Sequence, residues 1–193
     1  MKNIWILLAL LFSIKIGNAQ DGVKNKFERE YSIKQSEVPL EARNFINETL
    51  NRKVKWYGEE NLNGKAIEAK GKKDKKLYSV KFDTLGNIQD VEVVVKFESL
   101  SEEIQTKIQQ ELEQQFSSIK IIKTQIQWLG SQEVLKQLLN TGNATEDYLT
   151  NYEIVIRGKN NNRSEQYEVL INEHGKLIDK AKIIQKNDQH LIY

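Results

Sequence analysis

Cysteine is absent from the chain. That excludes a disulfide framework, a thiolate nucleophile and a thiolate zinc site, so stability has to come from an ordinary apolar core. Histidine is scarce as well. His174 falls in a predicted hairpin turn and His190 near the end of the chain, without H-x-x-x-H spacing, and both read as solvent-exposed. There is no G-x-S-x-G elbow and no glycine-rich phosphate loop. Adjacent carboxylates such as Glu59-Glu60 and Glu102-Glu103 read as solvated charge. The expectation is a chain that is not an enzyme, with no cofactor and no metal.

An excess of charge of one sign is also missing once the first segment is set aside. Lys2, the apolar run Ile4 to Ile14 and the small residues Gly17-Asn18-Ala19 have the three parts of a cleavable export signal over residues 1–19. Lys15 interrupts the apolar run well short of the roughly 20 residues that span a bilayer. The remainder carries 27 Lys+Arg against 27 Asp+Glu. A nucleic-acid partner, which calls for a net basic footprint, is not expected. No second long apolar run follows, so stable membrane insertion after cleavage is not expected either. The predicted location is periplasmic or secreted.

What the sequence does have is period. Residues 20–35 are polar and aperiodic and read as an N-terminal arm with at most one edge strand. Val38-Pro39 then opens a helix with Ala42, Phe45, Ile46 and Leu50 on one face. Alternating residues predict strands around Val54 and Trp56, Ile67 and Ala69, Tyr78 to Phe82, and Val91 to Phe97, with turns at Asn63-Gly64 and Asp83 to Gly86. Ser99-Leu100-Ser101-Glu102 fits a capping box ahead of a second helix, with the stripe Ile104, Ile108, Leu112, Phe116. Further strands are predicted over 119–128, 152–158, 165–171 and 176–184, with a short helix over 132–140 inserted among them.

Tyr78 to Asp90 aligns without a gap on Tyr167 to Asp179, with Tyr, Val, Gly and Asp identical. Element order and apolar phase agree with this match. The predicted fold class is therefore α+β: tandem duplicated units, 36–98 and 99–193, each with a helix packed on one face of its own antiparallel sheet (αββββ-type). The alternative is two unrelated hairpins with common turn chemistry.

Val38-Pro39, Ala42 and Phe45-Ile46 at the helix, with the hairpins Tyr78 to Ile88 and Tyr167 to Leu177, resemble the PepSY-like domains, which share a fold with the small secreted β-lactamase inhibitor protein. The resemblance covers roughly residues 36–185. It implies a periplasmic or secreted protein of Gram-negative bacteria, and it links the chain to domains found in the propeptides of thermolysin-type metallopeptidases.

Two functional expectations follow. The first is a non-catalytic binding protein, a modulator or inhibitor of an envelope or secreted peptidase, docking its partner on the polar sheet face. The residues expected there are Tyr57, Thr124, Arg157 and Glu168, with Trp56 and Trp128 filling the two cores. An exposed aromatic cluster on that face would favour this reading, and a face of Lys, Glu and Gln alone would count against it. The second is a small-ligand carrier or enzyme with a pocket of a few hundred Å³ between the units.

Overall fold

The structure, a computed structural model, describes residues 24–50, 53–61, 64–160 and 163–184. The expected export signal, His190 and Asn63 lie outside the described residues. In chain order the elements are β1 (Lys24–Lys26), β2 (Glu28–Ser32), α1 (Leu40–Thr49), β3 (Val54–Asn61), β4 (Gly64–Lys73), β5 (Lys76–Phe82), β6 (Ile88–Val95), α2 (Glu102–Gln115), β7 (Ser118–Leu129), α3 (Gln132–Thr141), β8 (Leu149–Asn160), β9 (Arg163–Asn172) and β10 (Leu177–Ile183). Among the described residues no helix is long and apolar enough to cross a membrane.

The strands do not divide into two sheets. They form one ten-stranded sheet in the order β1-β10-β9-β8-β7-β6-β5-β4-β3-β2. This overturns the expected pair of helix-on-sheet units. The joining contact is antiparallel pairing of β6 with β7, from Val91 opposite Trp128 to Val95 opposite Thr124. That register lets the second set of strands extend the first sheet instead of starting another. The hairpins Tyr78 to Ile88 and Tyr167 to Leu177 do share a turn. In each, a backbone N–H of the glycine (Gly86, Gly175) donates to the carbonyl of the residue three earlier (Asp83, Asn172). Both glycines have the positive φ that favours this residue, 95° and 80°.

The two ends of the sheet are one run of chain. β1 and β2 are separated by Phe27 alone, yet β1 lies parallel to β10 at one end and β2 antiparallel to β3 at the other. Lys24 to Lys26 sit opposite Ala181 to Ile183, and Glu28 to Ser32 sit opposite Asn61 to Tyr57. Ile33 continues the pairing, its N–H donating to Trp56 O at 3.0 Å. The sheet is therefore closed on itself like a barrel. Bulges between Lys81 and Phe82, Ile121 and Lys123, and Leu177 and Asp179 add local twist and bend, which closure requires. The expected loose arm is the strand that makes the seam.

All three helices cover the outer face. Ala42, Phe45 and Ile46 of α1 join Val134, Leu135, Leu138 and Leu139 of α3 over Trp56, Ala69, Val80, Phe82 and Val91. Ile104, Ile108 and Leu112 of α2 cover Ile154, Ile156, Tyr167, Val169 and Ile171. Each fully buried aliphatic side chain of these stripes contributes about 1.5–3 kcal/mol. Trp56 is core, as expected. Trp128 is only partly buried and packs on the α1/α3 cluster, not on the α2 cluster.

The helix ends show which signals the sequence carries. Ser101, not Ser99, caps α2, accepting from Ile104 N at 3.4 Å, because Ser99 is taken up in a 3₁₀ turn over Phe97–Ser99. Ser131 caps α3 in the same way at 3.3 Å, and Gly142, at φ 76°, stops it. Lys73 reaches the C-terminal ends of two helices together. Its ammonium donates to Thr49 O at 2.8 Å and to Leu139 O at 2.7 Å. The free carbonyls and negative dipole ends of α1 and α3 are thereby met by one cation.

Candidate functional site

In a closed sheet, the face without helices is the inner wall. Register assigns its residues directly, since partners across antiparallel strands share a face. Lys55, Lys70, Ser79 and Glu92 form one row across β3 to β6. Tyr57, Glu68, Lys81 and Asp90 form the next. On the other side of the first row, Lys72 is opposite Leu77, Val94 opposite Gln125, and Gln125 opposite Glu153.

The wall encloses a hollow of about 760 Å³. Lys26 and Ile183, next to the seam on one side, and Glu30 and Lys55, next to it on the other, line the same space. Seven lysines and five glutamates face it. Facing this space explains why charged residues are buried: Glu68 is 8% exposed and Glu92 9%.

Part of this charge is paired internally. Lys26 binds both oxygens of Glu168, at 2.7 and 2.8 Å, so the seam strand is tied to β9. Four residues on, Glu30 binds Lys70 of β4 at 2.9 Å, and Lys70 also holds Glu68 at 3.0 Å. Burial works against the Lys70 charge, but the two carboxylates more than offset it and raise its pKa. Lys81 Nζ lies 2.8 Å from Glu59 Oε2, and Ser79 Oγ donates to Glu68.

A second set is left with poorer compensation. Glu92 accepts from Gln125 Nε2 and Asp90 from Gln127 Nε2, which are neutral donors. Gln125 itself is 3% exposed, and its Oε1 has no hydrogen-bond partner. Desolvation pushes Asp90 up to about 6, with Lys81 pulling the other way and Glu153 adding to the rise. Glu92 is pushed up to about 7 by burial and then by Asp90. Glu153 is pushed up to about 8 by burial and then by Glu92 and Glu168. Near neutrality, then, Glu92 and Glu153 hold protons part of the time, and ionising them leaves two carboxylates and Gln125 Oε1 short of donors.

The residues expected on a docking face end in three different places. Glu168 lines the hollow, bound to Lys26. Tyr57 is on the inner wall too, half-buried, with Lys70 Nζ 5.2 Å from its ring centre. Arg157 pairs in register with Gln166 on the same wall but is exposed. Thr124 is on the opposite face, 2% exposed under the helices, opposite Ile154. The bulge between Ile121 and Lys123 is the cause, because one extra residue reverses the alternation for the rest of β7. The candidate-site residues that the pattern did not reveal are Glu92, Gln125 and Glu153. They occupy the polar positions of alternating strands, which read as solvent-facing in the sequence.

Among the described residues, no three His, Cys, Asp or Glu are placed to hold a metal ion. Comparison of the chain with family models, with curated proteins and with solved structures gives no match.

Proposed function

We propose that this chain is a small-molecule binding protein that carries its ligand inside the closed sheet. The observation that carries this reading is the hollow of about 760 Å³, walled by convergent charged and polar groups and by Val94 and Val155. Its volume lies within the range of sites that enclose a small organic ligand. The sheet face expected to dock a protein is turned inward, and its wall is mostly Lys, Glu and Gln. That arrangement favours a carrier over a docking module. Periplasmic or secreted placement fits a carrier and is proposed with it.

The test is native mass spectrometry of the chain purified under mild conditions from its own host. The expected spectrum shows a bound small molecule. Val155→Trp, which fills the hollow without touching the outer core, should remove it. A bare protein that also takes up none of a panel of cationic, anionic, zwitterionic and neutral alkyl probes overturns the reading.

A further inference from the structure

The inner-wall charges without an ion pair among the described residues fall mainly into two groups. Among the described residues, Lys53, Lys55 and Lys72 of the β3–β4 side form no ion pair, and all three line the hollow. They are exposed, as is Leu77 beside them, so they form its mouth. Glu92, Gln125 and Glu153 lie deeper, on β6 to β8. The deep group has acceptors to spare: a buried amide oxygen without a partner and two carboxyls without an ion pair among the described residues. A buried acceptor left without a donor costs about 1–3 kcal/mol, so the site gains by receiving one.

Along one row between the two groups the wall is apolar, while the row beside it carries Lys70 and Ser79 between Lys55 and Glu92. Lys72 is opposite Leu77; pairing of Tyr78 with Val93 puts Leu77 beside Val94; and Val94 is opposite Gln125. Lys72 and Gln125 are thus three strand spacings apart, about 14 Å along the wall before side chains reach inward. Lys123, on β7 beside the acidic group, is exposed like the mouth lysines and forms no ion pair among the described residues, so it screens that group in part.

We infer that the ligand of the hollow is an elongated zwitterion, with its ammonium end seated at Glu92, Gln125 and Glu153 and its anionic end held at the mouth by Lys53, Lys55 and Lys72. This rests on the reading of the hollow as a ligand site. The apolar middle of such a ligand lies over Leu77 and Val94. The ammonium supplies the missing donor to Gln125 Oε1 and the missing counter-charge to the two carboxylates. Lysines on flexible stems at the mouth then close over the anionic end.

Calorimetric titration with four matched probes tests this: ε-aminocaproate, hexylamine, hexanoate and hexanol. ε-Aminocaproate is expected to bind at least about tenfold tighter than each of the others. Glu153→Gln, which keeps shape and folding, should weaken ε-aminocaproate and hexylamine and spare hexanoate. Lys53→Gln combined with Lys55→Gln and Lys72→Gln should weaken ε-aminocaproate and hexanoate and spare hexylamine. Hexanol or hexanoate binding as tightly as ε-aminocaproate overturns the inference while leaving the carrier reading intact. Should no probe bind, the molecule carried by the host-purified protein decides. A zwitterion supports the inference, a molecule lacking either charge overturns it, and an empty protein overturns both readings.

Discussion

The ring of Tyr31 occupies the space in which a side chain at residue 58 would begin. A Cβ built on Gly58 would stand 2.5 Å from Tyr31 Cζ, and the two residues are register partners across β2 and β3. The seam strand is thus keyed to its neighbour by a ring laid on bare backbone. Gly58→Ala forces the ring off. The expected cost is about 1–3 kcal/mol, read as a lowered urea midpoint. Hydrogen exchange should rise first in β2 and β3. Unchanged stability would show that Tyr31 moves aside without cost.

Stability should fall as pH rises through neutrality. Glu153, Glu92 and Asp90 have pKa values raised to about 8, 7 and 6 in the fold, against ordinary values of 4.5 for Glu and 3.8 for Asp. Between the ordinary and the raised values the folded chain holds protons that the unfolded chain releases. Unfolding then releases protons, and raising the pH favours it. The chain without ligand should lose on the order of a few kcal/mol between about pH 5 and pH 9. Glu153→Gln should flatten the profile. A stability that climbs over that range would contradict this account of the inner wall.

The ammonium of Lys73 is expected to matter far more than those of its neighbours Lys72, Lys75 and Lys76. Lys73→Met leaves last-turn carbonyls of α1 and α3, those of Thr49 and Leu139, without their shared donor. A loss of about 1–3 kcal/mol is expected, with Lys75→Met as the neutral control. Chemical denaturation of both variants checks it. Equal behaviour of the two would remove the role given to Lys73.

On the zwitterion reading, affinity should also depend on pH. An ammonium favours ionised Glu92 and Glu153, so binding expels protons wherever these carboxyls are still protonated. The groups facing Glu153 are Glu92, Glu168, Lys26 and Lys123, and those facing Glu92 are Asp90, Lys81, Glu68 and Lys123. ε-Aminocaproate should therefore bind more tightly as pH rises from about 6 to about 8. Titration in buffers of different ionisation enthalpy should report proton release. Proton uptake would place the cation elsewhere.

Short-range structure was legible in the sequence, and long-range closure was not. The stripe Ala42, Phe45, Ile46 and the turn Asp83 to Gly86 rest on contacts within a few residues, and local pattern encodes those. Pairing of Lys24 to Lys26 with Ala181 to Ile183 has no local trace, because three polar residues carry no periodicity. Thr124 lies on the face opposite the expected one because a single extra residue in β7 inverts alternation without changing composition. The site suffered from a deeper ambiguity. Alternation of Glu68, Asp90, Glu92 and Glu153 with apolar residues is the same whether the polar face meets bulk water or an enclosed hollow. The Lys70 to Lys76 run reads as a solvated tip, and for Asp74, Lys75 and Lys76 it is. Lys70 is set apart by Glu30, Lys72 by the hollow it lines and Lys73 by the helix ends it meets, all brought together by the fold from distant parts of the sequence.

A seam strand shared by both ends of the sheet also dictates an order of events. Lys24 bonds Asp179 across 155 residues of sequence. The segment carrying Lys24 is synthesised early, and its neighbour β10 is synthesised late. β2 can pair with β3 as soon as β3 exists, but β1 has to wait, with its backbone donors and acceptors unused, until β10 exists. Closure is then the last pairing made, and the loop it closes is among the longest in the chain, which marks a slow-folding topology. Until that moment β10 is a bare edge, open to pairing with another chain. A cell that makes this protein has to keep its molecules apart for longer than their helices take to form.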